Sequence, residues 1–81
     1  MLLITIANNM KESELIFKLA QKIKELRESK GLTLRELEAL ANIENSNIAR
    51  LESGAVNPRF TTLYKLSQGL GIKLSELVDI E

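Results

Sequence analysis

The strongest constraint on this chain is a helical period of apolar residues that is cut at short intervals by residues that stop helices. Leu15, Leu19, Ile23 and Leu26 recur at spacings of four, four and three, which lays one apolar stripe along a helix. Ser13 is a candidate N-cap and Gly31 a C′ glycine, so a first helix is expected over 14–30. Thr33, followed three residues later by Glu36, reads as a capping box opening a second helix. Leu37, Leu40 and Ala41 form the expected inner face of that helix, and Asn42 suits a left-handed stop. A short turn leads to a third helix over 45–53, with Ile48 and Leu51 inward and Gly54 ending it. Pro58 marks a loop. A fourth helix is expected over 61–69, with Leu63, Leu66 and Leu70 inward and Gly71 closing it. A short fifth follows over 74–79, with Leu77 inward. Only a small all-α bundle accommodates five short segments of this kind.

The chain has 81 residues and 44% hydrophobic residues, which fits one domain able to build a core without staples. Cysteine and histidine are both absent. Disulfides and thiolate metal sites are therefore excluded, as are the commonest general base and zinc ligands. No paired carboxylates stand out as a catalytic dyad, and no enzyme activity, catalytic residue, cofactor or metal is expected. No apolar run approaches the ~18–20 residues that span a bilayer, and residues 1–7 (MLLITIA) lack the basic start and length of a signal peptide. A cytoplasmic protein is expected. The aliphatic, β-branched run from Leu2 to Ala7 suits a short strand, with a loose tail as the alternative. We therefore divide the chain into an N-terminal extension, 1–13, and a helical domain, 14–81.

Two short helices joined by a tight turn form the helix-turn-helix unit. The stretch LRESKGLTLREL (residues 26–37), with IARLESG (48–54), Asn57-Pro58 and LYKLSQGLGI (63–72), resembles the phage-repressor-like (Cro-like, XRE) helix-turn-helix family in order and spacing. The resemblance covers roughly Leu19 to Val78. It implies a lambda-repressor-like five-helix DNA-binding domain whose second and third helices form the motif. It also implies a prokaryotic or phage-encoded transcriptional regulator, most often a repressor, that binds double-stranded DNA as a homodimer.

With Ile48 and Leu51 inward, the opposite face of the third helix carries Asn45, Ser46, Ala49 and Arg50. Asn can pair with adenine and Arg with guanine in the major groove. By similarity to the family, Asn45, Ser46 and Arg50 are the base-reading candidates. A solvated polar face is the plain alternative for the same residues. Phosphate contacts are expected from Asn47, from the start of the second helix (Thr33, Arg35) and from the loop residues Asn57 and Arg59. Arg35 reads equally well as an ordinary exposed helix residue. Arg27 and Glu52 occupy positions that form a structural salt bridge in the family, and they are not counted as DNA contacts.

Three features pull the other way. Lys plus Arg and Asp plus Glu are both 11, so there is no global basic excess to drive phosphate binding. Leu34 stands where the family often has a phosphate-binding Gln. Glu44 stands where Ser or Thr usually caps the recognition helix; it could accept from a cytosine amino group or repel phosphates. These features, with the apolar N-terminus, suit a second class on the same scaffold: an antitoxin whose partner is a toxin, or another protein-interaction module. A restriction–modification controller is a subclass of the first reading.

Overall fold

The computed structural model describes residues 10–81, which fold into five helices and, among the described residues, no strand. They are α1 (Glu12–Ser29), α2 (Leu34–Ala41), α3 (Asn45–Glu52), α4 (Phe60–Leu70) and α5 (Leu74–Leu77). The strand expected at Leu2–Ala7 lies outside the described residues. Residues 79–81 carry no regular structure.

Helix α1 starts two residues earlier than its sequence suggests. Its N-cap is Lys11 and not Ser13. The reason is local: Glu14 Oε1 accepts from the Lys11 backbone N–H at 3.1 Å, which satisfies a donor that the helix would otherwise leave open. Glu12 and Glu14 also place negative charge at the positive end of the helix. Ser13 then becomes an ordinary first-turn residue. The helix ends at Lys30, with Gly31 beyond it at a φ of 69°.

The capping box of α2 forms as read from the sequence. Thr33 Oγ1 accepts from the Glu36 N–H at 3.1 Å, and Glu36 Oε1 accepts from the Thr33 N–H at 2.8 Å. At the far end, Asn42 takes the left-handed conformation, with φ 58° and ψ 47°. Replacing Thr33 with Ala should lower the unfolding free energy by about 1 kcal/mol, read from a denaturant titration. The backbone N–H of Thr33, and then its hydroxyl, hold the Glu36 carboxyl below its ordinary value. A carboxyl depressed in the folded state stabilises fully above its unfolded value and loses that contribution as pH falls through the folded one. A Glu36→Gln variant should accordingly show a flatter acid limb in melting temperature against pH.

The core is aliphatic. Ile23, Leu37, Ile48, Leu66, Leu70 and Leu77 are fully buried, joined by Leu19, Leu51 and Leu63 and by the small Ala20 and Ala41. Two expected core residues lie elsewhere. Leu40 is 58% exposed because the buried line of α2 runs Leu34, Leu37, Ala41, and Leu40 sits about 100° of helix rotation from Ala41. Leu15 is 40% exposed and lines an outer groove with Leu19, Val78 and Ile80.

Helices α2 and α4 form the most extensive packing, α2 also packs on α3, and α1 bridges α3 and α5. Helix α5 is one turn, shorter than the expected 74–79, and a single turn is unstable alone. Complete burial of Leu77, worth about 1.5–3 kcal/mol, holds it against the bundle. The buried Ser67 donates its hydroxyl to the Tyr64 carbonyl at 2.6 Å. Among the described residues no buried side-chain polar atom lacks a partner.

Candidate nucleic-acid interface

The position of α3 is set from both sides. Its inner face, Ile48 and Leu51, is buried in the core. At its C-terminal end the Glu52 carboxylate meets the Arg27 guanidinium of α1 in a two-pronged pair, Nε to Oε2 at 2.7 Å and Nη2 to Oε1 at 3.0 Å. Arg27 Nη1 donates in addition to the Leu32 carbonyl at 2.8 Å. One guanidinium thus ties together the end of α1, the α1–α2 loop and the end of α3. The two side chains retain 12% and 7% of their exposure. The Glu52 carboxylate, against the opposing effect of burial, raises the pKa of Arg27 above its ordinary value.

With the inner face locked, α3 turns Ser46, Asn47, Ala49 and Arg50 to solvent. Asn45, the first residue of α3, is half-buried, and its Nδ2 donates to Glu38 Oε1 of α2 at 2.6 Å. Glu44 is the N-cap, but its side chain makes no capping bond. Its carbonyl instead accepts from the N–H groups of Asn47 and Ile48. A helix start of this kind leaves its first N–H groups unpaired within the helix.

Beside α3, the loop from Ser53 to Arg59 and the start of α4 enclose a shallow cleft of about 200 Å³. Ile43, Leu51, Val56 and Pro58 give it an apolar floor, and Asn47, Arg50, Arg59 and Thr62 supply its polar lining. Neither Arg50 nor Arg59 has a carboxylate partner among the described residues, so both guanidiniums are available to an anion or a base edge. The structure therefore brings together Asn47, Arg50 and Arg59, while Thr33, Arg35 and Asn57 lie exposed outside the cleft. The N–H and the hydroxyl of Thr33 are both engaged with Glu36 in the capping box. Leu34 packs half-buried against the core. The residue that stands at the resembled family's Gln position is thus spent on packing.

Sequence reasoning missed Glu38 and Thr62. Glu38 lies seven residues before Asn45 on another helix, and only the crossing of α2 and α3 brings the two side chains together.

Residues 23–77, most of the folded chain, match the helix-turn-helix family HTH_3. This chain belongs to that family. It is 45% identical over 53 residues to the HTH-type transcriptional regulator y4dJ of Sinorhizobium fredii, a match spanning 65% of this chain and 69% of that protein. It is 36% identical over 61 residues to the immunity repressor protein of Bacillus phage phi105, covering 75% of this chain but only 42% of the repressor. Among solved structures, the restriction-modification controller protein C.AhdI of Aeromonas hydrophila superposes with a TM-score of 0.74 at 32% identity, over 76% of this chain and 94% of that one. The family is one of DNA-binding transcriptional regulators, which is not an enzyme class. No described helix is long and apolar enough to cross a membrane.

Proposed function

We propose that this chain is a sequence-reading transcriptional repressor that lays α3 into the major groove of double-stranded DNA. The observation that carries this reading is the outward face of α3 beside a cleft whose two guanidiniums have no carboxylate partner among the described residues. A helix fits the major groove, whose base edges present a distinct pattern of donors and acceptors. Arg50, with Asn45 and Ser46, reads bases. Asn47 and Arg59 at the cleft, Asn57 beyond it, and Thr33 and Arg35 at the start of α2 hold phosphates. Of these phosphate candidates only Arg35 and Arg59 are cations, so the salt slope of binding, about −0.9 per neutralised phosphate, should be correspondingly modest.

The DNA-bound form is a homodimer reading two half-sites about one helical turn, ~34 Å, apart. Exposed Phe60 and Tyr64 on α4, and Val78 after α5, supply apolar surface for a second copy. The site of action is the cytoplasm of a prokaryote, on its DNA.

Selection of bound duplexes from a random pool at moderate salt tests the reading. An inverted repeat is the expected product. Arg50→Ala should then weaken binding to the selected duplex about 5- to 150-fold and relax preference at one position in each half-site. Recovery of no preferred sequence, with only weak salt-sensitive binding, would replace this reading with that of a protein-interaction module such as an antitoxin.

A further inference from the structure

The hydrogen bond from Asn45 to Glu38 has no part in building the core, yet it joins a base-reading candidate to a charged residue on the neighbouring helix. We propose that Glu38 is a positioning residue that fixes which end of the Asn45 carboxamide faces the DNA. This inference rests on the reading of Asn45 as a base contact.

The argument is one of donor and acceptor chemistry. An ionised carboxylate only accepts hydrogen bonds, whereas a carboxamide donates at one end and accepts at the other. At 2.6 Å from Glu38 Oε1, the Asn45 amide must present its NH2 group. Turned over, it would set two acceptor oxygens against each other in a half-buried site, where that repulsion is poorly screened. The oxygen Oδ1 is therefore held away from α2, with one N–H left over. An outward acceptor favours a base that offers an amino group, adenine or cytosine, over one that offers only acceptors at that place, guanine or thymine. Without Glu38 the amide turns freely and can serve either kind of base edge, so discrimination falls even though contact persists.

Glu38 also places a negative charge beside an interface built for phosphates. Its removal should therefore leave general DNA affinity unchanged or raise it, while selectivity drops. A residue needed only for folding would lower both together.

The test uses the selected duplex and its three base variants at the position where Asn45→Ala abolishes preference. Affinities are measured for the native protein, Glu38→Ala and Glu38→Gln. Alanine is the best helix former, so α2 should persist in the first variant, and thermal melts check it. Glu38→Ala should cut base discrimination at that position by about tenfold, within the range a single base contact supplies, without loss of affinity for random duplex. Glu38→Gln, which still accepts but can itself turn over, should fall between. In the free protein, one Asn45 side-chain amide proton should resonate downfield and exchange slowly, and should lose both properties in Glu38→Ala. Unchanged discrimination in Glu38→Ala, or unchanged Asn45 amide signals, overturns the proposal while leaving DNA reading by α3 intact. Should Asn45→Ala shift preference at no position, the proposal falls together with the role of Asn45.

Discussion

Replacing Glu52 with Ala is expected to lower the unfolding free energy by about 3–5 kcal/mol. The pair it breaks is mostly buried, with 12% and 7% of the side-chain exposure remaining. Removing the carboxylate leaves the Arg27 guanidinium, among the described residues, with the Leu32 carbonyl as its remaining acceptor and little water to replace the loss. Folded domains are stable by only about 5–15 kcal/mol, so this is a large fraction of the whole. At about 4–8 °C per kcal/mol for a domain of this size, the melting temperature should fall by more than 10 °C. The effect separates an uncompensated charge from a missing contact. The double variant Arg27→Met/Glu52→Leu should recover most of the stability, because an apolar pair of comparable size avoids the desolvation of two charges. A single variant that melts like the native protein would show that the pair does not hold α1 to α3. Because the pair also anchors the end of α3, DNA binding should fall in Glu52→Ala at least in step with the folded fraction.

The second large effect runs against intrinsic propensity. In an isolated helix, Gly69→Ala would stabilise by about 1 kcal/mol. In this protein it should destabilise, by about 1–3 kcal/mol net, because α4 approaches α2 at this residue. A Cβ built on Gly69 would stand 2.8 Å from the Ala41 Cβ and 3.0 Å from both the Cα and the N of Ala41. Two of those three atoms are backbone, so no flexible side chain can swing aside. The helices must separate, and α2 carries half of the helix-turn-helix with it. Gly69→Ala should therefore weaken DNA binding at temperatures where the protein is still folded, a loss that a purely global destabilisation would not produce. Denaturant unfolding and duplex affinity at low temperature check the two halves, and a more stable Gly69→Ala would show that the crossing relaxes freely.

By helix propensity alone a glycine inside a helix is unfavourable, and the close packing of α2 on α4 shows what Gly69 is for. Leu15 and Leu40 err in the opposite direction. Both satisfy a helical apolar spacing, and both face outward because a stripe has a width that periodicity cannot supply. Leu34 departs from the family pattern as a reader of phosphate and is explained as a packing residue. The candidate site divides similarly. Ser46 and Arg50 fall on the outer face of α3 once Ile48 and Leu51 are inward, and Asn47 is a phosphate candidate by resemblance alone. The meeting of Asn47 and Arg50 with Arg59 across an apolar cleft, and the capture of Asn45 by Glu38, required the loop and the helix crossing.

What the sequence by itself determined is local. The capping box of Thr33 and Glu36, the left-handed stop at Asn42, the breaks around Gly31, Gly54 and Gly71, and the inward residues of α3 and α4 all depend on groups within about a turn of one another. Interactions of that range are written in consecutive residues. Only the tertiary structure decided which edge of each apolar stripe is buried, why a glycine stands inside α4 and what Asn45 is bonded to. Those depend on where a second helix passes, and the angle and closeness of a helix crossing are set jointly by side chains distant in sequence, which no single stretch of residues specifies.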